Sequence, residues 1–248
     1  MVFKVASLMF LVLGLAQSGS KYLIISCRIF IPENKCKLED SPCLTQVFQD
    51  ITPVFMSGIP EAGVQVLDPM ELEKLSFELA GLQFTLSDGR LKGLKNATVD
   101  SVKWNTKKQS LTIDFHIDAS VKGHYTANGR ILILPITGDG QIKIKLKHLQ
   151  IKAHIDYDLV KGDDGKDHIK LTKYDFEFDV RDGGHYHLAN LFNGNKQLSE
   201  TMLNFLNENW KQVANEFGRP LMDLAVGTVF KNMNKYYEKV SLADFADA

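Results

Sequence analysis

The apolar residues of this chain repeat with two different periods, and the change of period limits the folds open to it. Between about residues 74 and 180 apolar and polar side chains alternate, most clearly from Leu111 to Ala119. A period of two is typical of antiparallel strands with one buried face. Between residues 197 and 240 apolar side chains recur every three or four positions, which predicts an amphipathic helix. We therefore expect an α+β fold in which a strongly curved antiparallel β-sheet wraps around a long C-terminal α-helix.

Turn residues separate the predicted strands. Hairpin dipeptides are found at Ser87–Gly89, Asn128-Gly129, Gly138–Gly140, Gly162–Gly165 and Asp182–Gly184. Such pairs favour the backbone conformations of tight turns between antiparallel strands. We expect a hairpin at each of them.

Local irregularities are expected at three further places. At His148-Leu149-Gln150 the alternation changes phase, which predicts a β-bulge. Gly218-Arg219-Pro220 should kink or break the C-terminal helix. Near the start of the chain, residues 44–51 have helical spacing, and Pro53 should interrupt or kink that helix.

The N-terminus has the features of a secretory signal peptide. Lys4 precedes an apolar run from Val5 to Ala16, which is shorter than the ~20 residues needed to span a bilayer. Small residues predict cleavage after residue 16, with residue 20 as the latest alternative. We expect residues 1–16 to be removed and residues 17–248 to form one domain that is secreted and extracellular. A buried N-terminal helix is the alternative.

Secretion changes the interpretation of the three cysteines, because an oxidising compartment favours disulfides. Three pairings are open. Cys36 and Cys43 are closest, and residues 40–42 between them have turn chemistry, so we expect these two to pair. Cys27 is then left over. Asn96 begins an N-glycosylation acceptor motif, which predicts an exposed position.

Charge and motifs exclude several function classes. Lys and Arg total 29 against 30 for Asp and Glu, so the net charge of −1 provides no overall field that would attract nucleic acid or an anionic membrane. The motifs of serine hydrolases, zinc proteases, nucleotide-binding loops and dinucleotide-binding folds are absent from the sequence. We expect no enzyme activity and no cofactor.

Clusters of polar residues allow a few other interpretations. His185 and His187 share one strand face, as a metal pair would, but no third ligand lies nearby at a suitable spacing, so we expect a polar edge and no metal site. Lys143, Lys145 and Lys147 form a basic strip. Such a strip is usually a solvated face, with contact to an anionic membrane as the alternative.

Bulky side chains on the inner face would either fill the space under the helix or line a dry tunnel for an elongated apolar ligand. Alternation and helical phase assign a set of inward residues as the expected lining. They are Phe77, Phe84, Ile113, Phe115, Ile117, Ile133, Ile144, Tyr157, Phe176, Phe178, Met202, Phe205, Trp210, Val213 and Phe217. Tyr157 and Trp210 are the candidates for polar contacts with the ligand.

Several motifs occur in a characteristic order along the chain. After the signal peptide come Cys36–Cys43, Gly58-Ile59-Pro60-Glu61, Asp68-Pro69, Gly138-x-Gly140 and Phe205–Trp210. In this order and spacing they resemble the insect juvenile hormone-binding and takeout family. Cys27 departs from that resemblance, because the family pattern has one cysteine pair in this region.

The resemblance implies a fold similar to half of the tubular, BPI-like lipid-binding proteins. It also implies a monomeric carrier of a small hydrophobic molecule, such as juvenile hormone or another terpenoid or fatty compound, without catalysis, nucleic-acid binding or stable membrane insertion. Takeout-like members are associated with feeding, circadian output and chemosensory behaviour. A signalling or interaction protein with a different lipid ligand, or none, is therefore the alternative, and a lipid-directed enzyme is a more remote one.

Overall fold

The structure is a computed structural model that describes residues 31–32 and 35–247, without the side chain of residue 247. The predicted signal peptide, its cleavage site and Cys27 lie outside the described residues.

The described residues form nine β-strands, five α-helices and three short 3-10 helices. The strands are β1 (Cys36–Lys37), β2 (Met70–Leu72), β3 (Leu75–Leu79), β4 (Leu82–Lys92), β5 (Thr98–Asn105), β6 (Ser110–Ile131), β7 (Leu134–Lys161), β8 (Asp167–Leu188) and β9 (Ala246–Asp247). The helices are α1 (Ser41–Met56), α2 (Lys196–Glu208), α3 (Trp210–Phe217), α4 (Arg219–Lys239) and α5 (Leu242–Phe245).

Seven of these strands form one curved antiparallel sheet, which confirms the predicted α+β fold. Its order is β2-β4-β6-β7-β8, with β3 also paired to β4 and β5 also paired to β6. Strand β7 has 28 residues and would reach about 90 Å if it were straight. The sheet curves instead, so that its apolar face stays in contact with the helices.

A bulge in β7 is one source of this curvature. His148 has a left-handed φ of 47°, and the pairing register with β8 shifts between Lys147 and Leu149. The amide of His148, freed from the ladder, donates a 2.9 Å hydrogen bond to the Asp118 carboxylate. The bulge predicted from the phase change is therefore confirmed.

One of the five predicted hairpin turns is confirmed, at Gly162–Gly165 between β7 and β8. The other four predictions are wrong. Ser87–Gly89, Asn128-Gly129, Gly138–Gly140 and Asp182–Gly184 lie inside β4, β6, β7 and β8.

Close packing explains two of these interior glycines. A Cβ atom at Gly138 would lie 2.3 Å from the Tyr125 hydroxyl, and one at Gly140 would lie 2.5 Å from the carbonyl oxygen of Ala189. These glycines let neighbouring groups approach the strand, a role that their dipeptides do not distinguish from a turn. Strands β6 and β7 instead connect through Leu132 and the residue after it.

Helix α1 is fastened at its start. The Asp40 side chain accepts a 3.1 Å hydrogen bond from the Cys43 amide, and Pro42 occupies the first turn. Cys36 and Cys43 form the predicted disulfide, which ties β1 to α1. Pro53 lies within the helix, and α1 continues beyond it to Met56.

The C-terminal helix is divided into three consecutive segments, where one very long helix was expected. The predicted break at Gly218 is present between α3 and α4. Gly218 keeps helical angles and its amide donates to the Ala214 carbonyl over 2.9 Å, so the chain keeps its helical course. A second break lies at Asn209, between α2 and α3. It contains no Gly or Pro, so the sequence did not predict it. No helix among the described residues is long and apolar enough to cross a membrane.

Candidate functional site

Two apolar cavities lie between the sheet and the helices. The larger, about 190 Å³, is enclosed by α1, α4 and the inner faces of β6 and β7. The smaller, about 120 Å³, lies between α2, α3, β3, β4 and the adjoining parts of β6, β7 and β8. For comparison, a dry apolar cavity of about 150 Å³ is large enough to admit benzene.

Small side chains create the space of the larger cavity. Ala119 in β6, Ala153 in β7 and Ala225 in α4 all line it. On these strands most other inward positions are occupied by Ile, Leu, Val or Phe, whose side chains would extend into the same volume. Small side chains on three elements therefore leave room along the cavity wall.

Helix α1 closes one side of this cavity. Val47, Phe48 and Ile51 lie at helical spacing and face it, together with Phe55. The helix is held against β5 by polar contacts, because the Gln49 side chain accepts from the Val99 amide over 2.8 Å and donates to the Ala97 carbonyl over 3.0 Å. Such contacts fix the position of the apolar wall.

Tyr237 provides a polar group in the larger cavity. Its side chain is buried, and its hydroxyl has no hydrogen-bond partner among residues 31–32 and 35–247. Tyr237 is among the residues that line the cavity, and its oxygen is not fully enclosed by protein atoms. Burial raises the pKa of this tyrosine, which keeps the hydroxyl neutral and able to donate a hydrogen bond.

Of the other polar side chains at the cavity walls, Thr52 and Tyr186 have hydrogen-bond partners. Thr52 lines the larger cavity, but its hydroxyl donates to the Phe48 carbonyl over 2.6 Å. In the smaller cavity the Tyr186 hydroxyl donates to the Trp210 carbonyl over 3.3 Å, and burial raises the pKa of Tyr186. The smaller cavity is therefore the more uniformly apolar of the two.

A partition of three side chains separates the cavities. Leu146 from β7 and Leu221 and Met222 from α4 line both spaces. Met222 is unbranched and can change shape at low cost, so it is the most adaptable member of this partition. Ligand pockets usually exceed about 300 Å³, a size that the two volumes reach only together.

Nine of the fifteen residues expected to line a tunnel lie on cavity walls. Ile113, Phe115 and Ile117 line the larger cavity. The remaining six line the smaller one: Phe77, Phe84, Ile144, Phe178, Val213 and Phe217. Whether these residues contact a ligand stays a prediction.

Three of the other expected lining residues have different surroundings. Ile133 is 80% exposed, because it lies in the connection between β6 and β7 rather than on the inner face. Phe176 is buried beneath the guanidinium of Arg219, 4.1 Å from its ring centre. Tyr157 is buried and bonded to Trp104 instead of facing a cavity.

The last three, Met202, Phe205 and Trp210, lie on α2 and α3 and pack into the core outside both cavities. Alternation and helical phase assign the inward face of an element, but not the level along it at which space is left. For the same reason, residues of α1 and α4 were not predicted to line the larger cavity. The signal that could have identified some of them is the helical spacing of Val226, Val229 and Met233.

The outer face of the sheet carries a polar cluster around the β7 bulge. The rings of His116 and His148 stack with centres 4.3 Å apart, and His116 lies 3.0 Å from the Asp100 carboxylate. Burial opposes ionisation of Asp100, but hydrogen bonds from His116 and Gln150 outweigh it and lower the pKa of that carboxyl. This cluster joins β5, β6 and β7 at the bulge and is remote from the apolar face.

Metal-ligating groups are not gathered in the described part of the chain, where no cluster of three or more His, Cys, Asp or Glu side chains could hold an ion. His185 and His187 are exposed on the outer face of β8. The chemistry of the cavities is therefore that of apolar burial with a few tyrosine side chains in the walls.

Comparison with known proteins places this architecture in a family. The family model of haemolymph juvenile hormone binding protein matches residues 11–247. The chain belongs to the haemolymph juvenile hormone binding protein family. This is a family of hydrophobic ligand-binding proteins, and its assignment confirms the resemblance stated from the sequence motifs.

A takeout protein is among the solved structures to which this member of the juvenile hormone binding protein family is similar. The crystal structure of Epiphyas postvittana Takeout 1 matches with a TM-score of 0.85 and 54% sequence identity, over 86% of this chain and 99% of that one. The circadian clock-controlled protein daywake of Drosophila melanogaster is 34% identical over 77% of this chain and 80% of its own length. A putative beta-carotene-binding protein of Schistocerca gregaria is 28% identical over 50% of this chain and 51% of its own length.

Proposed function

We propose that this protein is a secreted carrier that binds a small hydrophobic molecule, a terpenoid or fatty compound such as juvenile hormone, in its larger cavity. The observation that carries the proposal is an apolar cavity of about 190 Å³ whose lining includes the buried Tyr237, a residue with an unpaired hydroxyl. Apolar walls provide affinity by burial, and the hydroxyl favours a ligand that carries an oxygen atom.

Burial of apolar ligand surface in the cavity favours binding. Burial of about 300 Å² of ligand surface at ~25 cal/mol per Å² contributes ~7 kcal/mol before the cost of association. The cavity is bounded by regular strands and helices, so little ordering is needed when a ligand enters. Saturable binding of an apolar ligand is therefore expected.

Secretion is supported by the predicted signal peptide and by the Cys36–Cys43 disulfide, since such bonds persist in oxidising compartments. The family is named for haemolymph, and the solved relative is a takeout protein. The putative beta-carotene-binding relative in Schistocerca supports an extended apolar ligand.

Matched substitutions in the two cavities test the proposal. Ala153→Phe places a ring in the larger cavity, and Ala127→Phe makes the same change in the smaller one. We expect a fluorescent apolar probe, N-phenyl-1-naphthylamine, to bind the wild-type protein and to be displaced by juvenile hormone or a fatty acid. Ala153→Phe should abolish this binding, and Ala127→Phe should leave most of it.

Two results would contradict the proposal. Failure of the folded wild-type protein to bind any apolar probe would exclude a carrier. Full binding by a folded Ala153→Phe variant would exclude the larger cavity as the site. Circular dichroism and thermal unfolding of each variant establish that it is folded.

The similarity to the clock-controlled protein daywake supports a second candidate, a signalling or interaction protein whose output is behavioural. In that case Ala153→Phe expressed in place of the wild-type chain should leave the behavioural output unchanged, because no ligand is required. Loss of output with that variant would favour the carrier.

A further inference from the structure

The outer face of the sheet carries five lysines that have no ion-pair partner, and we call this surface the basic face. It consists of Lys92 on β4, Lys122 on β6, and Lys143, Lys145 and Lys147 on β7. Four of these side chains are exposed and Lys143 is half-buried. None of the ion pairs formed within the described ranges, residues 31–32 and 35–247, includes any of the five.

The register of the sheet brings these charges together. Lys122 is directly opposite Lys143 across β6 and β7. On the other side of β7, His187 is opposite Lys143 and His185 is opposite Lys145. Like charges directly opposite one another destabilise a sheet.

Three other lysines on β7 and β8 each have a carboxylate directly opposite on the neighbouring strand. Lys152 is opposite Asp114 on one side and Glu177 on the other. Lys170 is opposite Asp158, and Lys173 is opposite Asp156. Beyond the bulge the register places each of these lysines opposite a carboxylate, although none of the three is in an ion pair among the described residues, whereas no lysine of the basic face is opposite a carboxylate.

Three nearby carboxylates pair with other side chains, and a fourth, Asp118, accepts a hydrogen bond from the His148 amide. Glu71 lies 2.9 Å from Arg90, Asp182 lies 3.1 Å from His148, and Asp139 lies 2.6 Å from His124. The formal net charge of the whole chain is only −1, so the rest of the protein carries an excess of negative charge. Positive and negative charge are therefore separated across the molecule, and an anionic surface would attract the basic face and orient the protein with that face toward it.

We propose that the basic face docks the protein onto an anionic lipid bilayer. The sheet curves around the helices, so this outer face is convex and can meet a flat surface. Its lysines cover about 10 Å across the strands and about 13 Å along them, enough for several lipid headgroups. Flexible ammonium groups suit diffuse charge, whereas a fixed phosphate site usually contains the planar fork of arginine.

A bilayer fits this surface better than a protein partner does. None of the large apolar side chains that are exposed in the described part of the chain belongs to the basic face. Protein interfaces usually depend on buried aromatic or aliphatic anchors and are depleted in lysine. This inference is separate from ligand carriage, because the basic face is on the opposite side of the sheet from the cavities.

Vesicle sedimentation with matched variants tests the proposal. The purified protein is mixed with vesicles of phosphatidylcholine alone, or of phosphatidylcholine with about a third phosphatidylserine, at low and high salt. The test variant Lys122→Gln/Lys143→Gln/Lys145→Gln removes three charges from the basic face. The control Lys152→Gln/Lys170→Gln/Lys173→Gln removes three charges from lysines that face carboxylates.

We expect the wild-type protein and the control to bind the anionic vesicles at low salt, and high salt to weaken that binding. The test variant should bind about tenfold more weakly or worse. No binding of the wild-type protein to anionic vesicles at low salt, or an equal loss in both variants, would overturn the proposal. Retention on immobilised heparin without any vesicle binding would also overturn it, in favour of an anionic glycan. Apolar-probe binding by each variant establishes that the cavities, and hence the fold, are intact.

Discussion

The indole Nε1 of Trp104 donates a 2.8 Å hydrogen bond to the hydroxyl of Tyr157, and both side chains are buried. The indole ring also contacts Phe245, with ring centres 5.9 Å apart. Phe245 lines the larger cavity. Tyr157 therefore supports a wall of the cavity through Trp104, although the alternation of β7 suggested direct contact with a ligand.

Tyr157→Phe should destabilise the fold while leaving ligand selectivity unchanged. The substitution leaves the buried indole N–H of Trp104 without its partner, at a cost of about 1–3 kcal/mol. Urea unfolding measures this cost. Tyr174→Phe is the control, because the Tyr174 hydroxyl is partly exposed and has no hydrogen bond within the described ranges. Equal stability of the two variants would show that the hydrogen bond to Trp104 contributes nothing.

Tyr237→Phe should weaken binding of oxygenated ligands only. Loss of one hydrogen bond costs about 0.5–1.5 kcal/mol, which corresponds to a Kd increase of roughly twofold to tenfold. A hydrocarbon of the same length serves as the internal control, because it makes no hydrogen bond with the hydroxyl. Probe displacement measures both affinities. A parallel change in both would mean that Tyr237 contributes by shape and not by hydrogen bonding.

Shortening the side chains of the partition should change the chain length of the ligand that binds most tightly. Leu146→Ala with Met222→Ala joins the two cavities, so we expect tighter binding of longer fatty chains relative to shorter ones. The control Leu206→Ala enlarges the smaller cavity without joining the two. Each buried truncation costs about 2–5 kcal/mol of stability, so binding is measured below the unfolding transition. An unchanged length preference in the double variant would exclude the partition as a determinant.

Acid should weaken the C-terminal cap of the fold. The Asp244 carboxylate accepts hydrogen bonds from the Ser241 hydroxyl over 2.7 Å and from the Ser241 amide over 3.0 Å. Burial opposes ionisation of Asp244, but these bonds and the ammonium of Lys166 outweigh it and lower its pKa. A lowered pKa in the folded state stabilises the protein above the unfolded value of about 4 and loses that effect as pH falls through the folded value.

Asp244→Asn should therefore lower the Tm at neutral pH, and the difference from wild type should narrow below about pH 4. Differential scanning calorimetry across this range measures the effect. Asp163→Asn is the comparison, since Asp163 is exposed and has no hydrogen-bonding or ionic partner in the part of the chain that the structure describes. A constant difference at every pH would mean that the cap does not depend on the charge of Asp244.

The periodicity of the sequence was sufficient for the class of fold, because period-two and helical patterns depend on each residue's near neighbours. The bulge at His148 and the break at Gly218 were predicted for the same reason. Hairpin assignments failed because a glycine within a very long strand and a glycine in a turn have the same local sequence. Only the packing of Tyr125 against Gly138 distinguishes them.

The sequence by itself determined the curved sheet, the helical cover, the Cys36–Cys43 bridge and the ordered motifs of the juvenile hormone binding family. Tertiary structure decided where space remains, because the cavity is lined by elements that are far apart in the chain, with Ala119, Ala153 and Ala225 among the lining residues. It also decided that Lys122 faces Lys143, since strand register depends on pairing between distant segments. Cavity volume and surface charge both arise from residues that are far apart in the chain, so no local pattern encodes them.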